Sequence, residues 1–234
     1  MVGLLDFFFP KYCVSCKALG SYLCPSCFAK LSYDIPYTCF VCQRPSLDGQ
    51  THPGCQGRYT IDGSFSGIAY KGIAKKLIYV FKYKPYVSDL QTALVELLYE
   101  SLIQNEAFIK LLDQQFALVP IPLHATRFRQ RGYNQSEVLA HGLSKKFGIP
   151  VIAALLRTKA TKPQAKLKKK ERIANISGAF ALSPSFAISL PAGRQANIMF
   201  VDDIATTGAT MLEAANVLKR AGAKKVWGIT LAKD

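Results

Sequence analysis

Two groups of residues in this chain have the types and spacing to do chemistry. The first is a set of thiols. All seven cysteines lie between positions 13 and 55, and six of them form Cys-x-x-Cys pairs: Cys13 with Cys16, Cys24 with Cys27, and Cys39 with Cys42. Such a pair sits on one tight turn, and two turns supply the tetrahedral four-sulfur set that Zn²⁺ favours. Cys13, Cys16, Cys24 and Cys27 make one complete set. Cys39 and Cys42 need two more ligands; Cys55 offers one, and His52 offers a nitrogen unless it is simply a loop histidine. Without a metal the same thiols would be redox-active or merely buried.

The second group is Asp202-Asp203 followed by Ile204, Ala205, Thr206, Thr207, Gly208, Ala209 and Thr210. An apolar run, 198–201, leads into the acids, and a helical pattern follows the small residues. At the end of a parallel strand, the amides of such a loop and of the helix N-terminus point at one spot and favour a phosphate there. Gly208 lets the backbone approach closely, and the threonine hydroxyls add donors. Two carboxylates beside a phosphate would repel it unless they face something else, and the vicinal diol of a sugar is a suitable partner. The bland alternative is a capped helix after a buried strand, with the acids solvated. Two acids, two threonines, a glycine and a third threonine within nine residues favour a sugar-phosphate site.

These residues need elements to position them. Beyond residue 60 the pattern alternates between strand and helix. Strands are expected at 64–70, 116–121, 151–156, 178–182, 198–201 and 226–231. Helices are expected at 73–81, 90–112, 136–147 and 210–221, the second with Leu94, Leu97, Leu98, Leu102 and Ile109 on its apolar face. Gly148 and Gly222 stop the last two. Strands alternating with helices predict an α/β fold, a mostly parallel sheet flanked by helices. The first sixty residues lack long periodic stretches and need metal staples. The division is therefore a cysteine-rich module at 1–60 and an α/β domain at 61–234. No internal repeat is evident.

The chain has 234 residues and a net charge of +15, which attracts nucleic acid, anionic membrane or phosphorylated ligands. The apolar start carries Asp6, no early Lys or Arg, and ends at Pro10. It reads as a short helix or arm docking on the body, not as a secretory signal. No membrane span is expected, and the predicted location is cytoplasmic, where disulfides are disfavoured.

The stretch 200–210 resembles the motif of type I phosphoribosyltransferases, which bind 5-phosphoribosyl-1-pyrophosphate (PRPP). Val119-Pro120-Ile121-Pro122-Leu123-His124, Arg131-Gly132-Tyr133-Asn134-Gln135, Thr161, Gln164, Arg172 and Asn175 resemble the ComF family of competence-associated proteins, as does the cysteine module ahead of them. The likeness covers nearly the whole chain. Where that family often carries a fourth Cys-x-x-Cys, this chain has Cys55-Gln56-Gly57-Arg58. The resemblance implies a phosphoribosyltransferase-type domain preceded by a small zinc-ribbon-like module. It implies Asp202 and Asp203 as the catalytic pair on the ribose hydroxyls, and Thr206, Thr207, Gly208, Ala209 and Thr210 around the 5′-phosphate. Leu123, His124 and Arg131 fall on the pyrophosphate side, with Mg²⁺ held mainly by the sugar and pyrophosphate. A catalysed reaction would displace pyrophosphate from C1 of PRPP by a nitrogen nucleophile. The resemblance also implies a role in taking up single-stranded DNA, and a homodimer.

Two basic stretches bear on ligands. Arg127, Arg129 and Arg131 follow the 116–121 strand, where arginine forks suit phosphate oxygens; a solvated basic face is the alternative. Residues 157–177 are expected to form a long mobile loop, and 157–172 carry eight basic groups and one acid, a run that repels itself without an anion; in the family this region closes over PRPP. Residues 71–86 interleave lysines with Tyr79, Phe81, Tyr83 and Tyr86. That composition suits single-stranded nucleic acid, or an ordinary helix with its aromatics in the core.

Overall fold

The computed structural model describes residues 10–84, 88–161, 169–184, 186 and 196–234. The expected N-terminal arm up to residue 9, residues 162–168 of the basic segment (Gln164 among them) and Tyr86 lie outside the described residues.

Four strands make one parallel sheet in the order β1-β6-β5-β2. They are β1 (Gly63–Ala69), β2 (Phe116–Pro120), β5 (Asn197–Ala205) and β6 (Lys225–Lys233). β5 pairs with β2 on one side and β6 on the other, all parallel. Each strand is a nearly continuous apolar run because both faces are covered. Met199 and Val201 face a cluster with Leu77, Phe81, Leu94, Leu98 and Leu139, whereas Ile198 and Phe200 face Met211, Ala214, Ala215 and Leu218. Period-two alternation along β5 thus feeds two separate cores.

Helices α2 (Ile73–Tyr83), α3 (Ser88–Ile103), α4 (Glu106–Leu112) and α6 (Gln135–Phe147) build the first layer. Helix α8 (Ala209–Arg220) builds the second. The single helix expected over 90–112 is two. Asn105 takes an extended conformation and its side chain accepts the Phe108 N–H, capping α4. The break rotates the apolar face, so Phe108 and Leu111 are buried while Ile109 is 41% exposed.

Helix α5 (Ala125–Arg131) follows β2 directly and was not evident from the sequence. The strand expected at 151–156 is reduced to an isolated bridge from Val151 to Leu118 and a short strand, β3 (Leu155–Arg157). β3 pairs antiparallel with β4 (Phe180–Leu182) in a separate two-stranded sheet. Part of the segment expected to be a loop is helical: α7 spans Lys169–Ile176 and packs on α8. Its Ile176 is buried in the second core.

The N-terminal module contains one short helix, α1 (Pro25–Phe28), and turns of 3₁₀ helix at Leu47–Gly49 and Pro53–Cys55. Contrary to the sequence reading, it contains a repeat. Around Cys13 and Cys39 the chain makes the same hairpin. Lys17 N–H bonds Cys13 O at 3.0 Å and Gln43 N–H bonds Cys39 O at 2.7 Å; the Cys13 and Cys39 N–H groups reach Ala18 O and Arg44 O at 2.8 and 3.0 Å. Lys17 and Gln43, each just after the second cysteine, share φ values of 67° and 65°.

Candidate functional site

The cysteines converge into two clusters. In the first, one atom from each of Cys13, Cys16, Cys24 and Cys27 lies within 4.8 Å of the others, and Cys39, Cys42, His52 and Cys55 do the same in the second. Cys16 and Cys24 sulfurs are 3.5 Å apart, and Cys42 Sγ is 3.2 Å from His52 Nδ1. A tetrahedral centre with bonds of about 2.3 Å to sulfur needs ligand atoms about 3.5–3.8 Å apart, so both sets fit a metal ion. His52 is no idle loop residue. Its Nδ1 faces the cluster while Nε2 lies 2.8 Å from Pro45 O, the outer hydrogen bond that fixes the ring of a ligating histidine. The Cys42 thiol is held down at about 6, first by the Arg44 N–H, against burial and with help from the Arg44 side chain, His52 and Cys39.

At the carboxyl end of the sheet, β5 runs past both acids to Ala205 instead of stopping at residue 201. Asp202 and Asp203 are therefore held by strand pairing rather than by a loop. Their side chains go to different partners. Asp202 Oδ1 accepts the Ser136 hydroxyl at 3.0 Å and the Asp203 N–H at 2.9 Å. Asp203 Oδ2 is paired with Lys82 Nζ of α2 at 3.0 Å. Burial, then the charge of Asp203, pushes the Asp202 carboxyl up to about 7, against the pull of these donors and Lys82.

Thr206, Thr207 and Gly208 form the tight turn from β5 into α8. Gly208 is the N-cap at φ 70°, and no side chain caps the helix there. Gly208 thus supplies no capping side chain at the positive end of the α8 dipole. Asp202, Thr206, Gly208, Ala209 and Thr210 line one small cleft of about 20 Å³ with Ile204, Ala205 and Met211. Thr207 does not line this cleft; its Oγ1 is buried without a hydrogen-bond partner among the described residues.

The neighbouring strand end carries the basic side of the site. Leu123 and His124 are half-buried; His124 is the N-cap of α5, its Nδ1 accepting Thr126 N–H at 3.3 Å, which gives it a structural task. Asn134 likewise caps α6 through Ser136 N–H at 3.1 Å. Arg131 closes α5 and bonds Gln135 at 2.8 Å. Arg127 and Arg157 both reach Thr161, the first to its carbonyl at 2.7 Å and the second to its hydroxyl at 2.6 Å. Among the described residues, none of these three arginines is ion-paired with a carboxylate. Burial and the charges of Arg127 and Arg131 lower Arg157 to about 10, against Asp202. Arg157 Nε is buried and unpartnered. Arg129 is exposed.

Lys82, Arg157 and Ser136 were missed as site residues. They come from elements far apart in sequence, and no local motif joins them to the acids. The cysteine repeat did leave a signal: Cys24-Pro25-Ser26-Cys27 and His52-Pro53-Gly54-Cys55 have the same ligand–Pro–x–ligand form.

Fold and clusters define an α/β protein with a four-stranded parallel sheet, preceded by a module with two cysteine-rich clusters able to hold metal ions. No family model matches the chain. It is 29% identical over 224 residues to competence protein ComFC of Bacillus subtilis, covering 91% of this chain and 84% of that protein. It is 35% identical over 119 residues to competence protein F of Haemophilus influenzae, half of each chain. It is 38% identical over 111 residues to the DNA utilization protein YhgH of Escherichia coli, 47% of this chain and 45% of that one. The matches thus span about half the length of the last two relatives. These likenesses support the resemblance to the ComF family.

Proposed function

We propose that the chain binds PRPP at the cleft beneath Asp202 and Asp203 and acts in DNA uptake or use. The carrying observation is the pairing of two differently partnered carboxylates with a strand-to-helix turn whose N-cap, Gly208, carries no capping side chain and lines the same cleft as Asp202. In this reading Asp202 and Asp203 accept the ribose hydroxyls, residues 206–210 bind the 5′-phosphate, and Leu123 and Arg131 lie on the pyrophosphate side with Arg127 and Arg157. His124 lies there too, through its backbone. Mg²⁺ would arrive with the pyrophosphate and offset its charge. The arginines would stabilise departing pyrophosphate if a nitrogen acceptor takes the phosphoribose. Zinc is the metal proposed for both clusters, on the tetrahedral sulfur-rich donor sets. Residues 1–60 then form the metal module and 61–234 the phosphoribosyltransferase-type domain of a cytoplasmic, self-associating protein. No helix among the described residues is long and apolar enough to cross a membrane.

The role in DNA rests on the relatives' names, competence proteins and a DNA utilization protein. A second reading, single-strand binding with PRPP only as a regulatory ligand, is favoured by one observation. Tyr79 and Tyr83 are 62% and 55% exposed with ring centres 5.0 Å apart, and Arg131 lies 5.4 Å over the Tyr83 ring. These exposed, neighbouring rings and the arginine over one of them offer faces on which bases could stack. Phe81, by contrast, is core.

Calorimetry with PRPP and Mg²⁺ tests the first reading. Binding by the native chain and its loss in Asp202→Asn with Asp203→Asn is the expected result; equal affinity in the double variant would refute the site.

A further inference from the structure

The two metal clusters have the same backbone design, yet they dock on different things. Val14 of the first packs against the core cluster of α2 and α3, and Lys76 of α2 reaches Ser15 at 3.5 Å. The first cluster is an anchor for the N-terminal chain. The second lies on the phosphate turn.

Three contacts make that junction. Phe40, between the ligands Cys39 and Cys42, is 3% exposed and packs in the second core. Its ring lies so close to Gly208 that a Cβ there would stand 2.4 Å from Phe40 Cγ and 2.8 Å from its Cβ and Cδ1. Gln43, the residue after Cys42, uses one amide nitrogen twice, donating to Phe40 O at 2.7 Å and to Thr207 O at 3.1 Å. Lys233, at the end of β6 and in register with Ala205, donates to Pro36 O at 3.0 Å and Thr38 Oγ1 at 2.5 Å, and lies 5.5 Å over the Phe40 ring. Phe40 and Gln43 are held by the turn that Cys39 and Cys42 close. A metal ion on those two thiolates therefore fixes the groups that fix Thr207 and Gly208.

We infer that the second cluster, Cys39, Cys42, His52 and Cys55, is a clamp on the phosphate turn, with Phe40 and Gln43 as its positioning residues. Metal bound there and anion bound at residues 206–210 strengthen each other. The anion half rests on the proposed PRPP site; the mechanical half does not. Coupling of this kind is reciprocal: if the metal tightens PRPP by some factor, PRPP tightens the metal by the same factor. The first cluster, which makes no hydrogen bond or ion pair to the turn among the described residues, has no such coupling.

The test uses the full chain in four forms: native, Cys42→Ala with His52→Ala, Cys16→Ala, and Gln43→Ala. Zinc content, calorimetric PRPP affinity with Mg²⁺, and hydrogen exchange of the 206–209 amides are read on each. Expected is a loss of roughly tenfold in PRPP affinity, within the usual range of such couplings, together with faster exchange of those amides, in the Cys42/His52 variant. Gln43→Ala should retain both metals and lose about threefold in affinity, one hydrogen bond's worth; Cys16→Ala should stay within about twofold of native, having no coupling to report. Unchanged exchange in the Cys42/His52 variant, or equal losses in Cys16→Ala, would overturn the clamp. If the native chain binds no PRPP, the proposed site fails while the exchange data still decide the clamp. Should the double variant not fold, native exchange rates with and without a chelator, beside Gln43→Ala, decide it.

Discussion

Gly208→Ala offers a stability test worked from the geometry of the phosphate turn. At φ 70° an L side chain sits in the left-handed region, which costs about 1–2 kcal/mol. The new methyl would also stand within 2.4–2.8 Å of three Phe40 carbons, and forcing that ring aside costs about 1–3 kcal/mol. The unfolded chain loses freedom as well, which adds back about 0.4–1 kcal/mol of stability. The net expectation is a loss of about 2–4 kcal/mol from a total on the order of 5–15 kcal/mol. Urea unfolding in saturating zinc reads it through the sole tryptophan, Trp227, which is 8% exposed and stacked on Phe65 at 5.2 Å. With a slope of about 2–3 kcal/mol per molar urea, the midpoint should fall by about 1 M. Gly148→Ala isolates the backbone cost, because Gly148 has φ 69° and nothing within 4 Å of its added Cβ. Gly208→Ala should cost more than this control, and the excess should shrink in a Phe40→Ala background. Equal costs for the two glycines, or a strictly additive double variant, would refute the close packing of Phe40 on the turn.

The remaining predictions concern charge and metal. Because Asp202 is raised to about 7 and must ionise to accept ribose hydroxyls, PRPP binding should weaken as pH falls below 7, with proton uptake by buffer on binding near pH 6. Lys82→Met removes the cation that holds this value down, so the inflection should move to higher pH; an unmoved profile would exclude Lys82 from the site. The sign for stability is opposite to that of an ordinary salt-bridged acid: with the folded value above the unfolded one, this carboxyl's contribution is lost as pH rises from about 4 towards 7, visible as a lower urea midpoint. Tyr79→Ala with Tyr83→Ala should weaken single-stranded DNA binding by about 1–3 kcal/mol per stacked base, measured by fluorescence anisotropy at two salt concentrations. A DNA affinity that is indifferent to both tyrosines would remove their stacking role.

How much of this could be read from the chain depends on whether the determinant is local. The cysteine spacing named seven thiol ligands, and His52 was offered as the eighth because it stands three residues before Cys55; the structure gathers all eight. Asp202-Asp203 and the small-residue turn were legible as one run because strand, acids, turn and helix are contiguous. Asn105 was not read as a cap because Leu94 to Ile109 keep helical spacing across it, and that spacing hides the rotation that buries Phe108 and Leu111 in place of Ile109. α7 was hidden by the density of lysine and arginine around it: charge repulsion argued for a loop, whereas burial of Ile176 outweighs it. Lys82 and Ser136 were out of reach for a different reason. They meet the acids only after two helices have packed on one face of β5, a tertiary fact with no sequence pattern of its own.

The arginines carry the last inference, since holding them together is costly in the ligand-free protein. Arg157 is lowered to about 10 from an ordinary 12.5, burial leading and Arg127 next. At 1.36 kcal/mol per unit its charged form bears a penalty on the order of 3 kcal/mol. Two contacts offset part of it: the 2.6 Å bond to Thr161 and the Phe180 ring 5.4 Å away. If these arginines served the fold, one would expect them to neutralise Asp202 or Asp203, which lie close enough to influence them. Instead the acids take Ser136 and Lys82, and the arginines take Thr161. On the proposed reading, arginines that pair with neither acid await an anion, and Asp202 awaits a diol. Arg157→Met, which keeps the stem and removes the charge, should therefore leave the ligand-free chain as stable as native or stabilise it by about 1 kcal/mol, while weakening pyrophosphate binding in calorimetry by about tenfold or more. A variant that unfolds more easily and binds pyrophosphate as well as native would make Arg157 a structural residue, and the separation of charges an accident of packing.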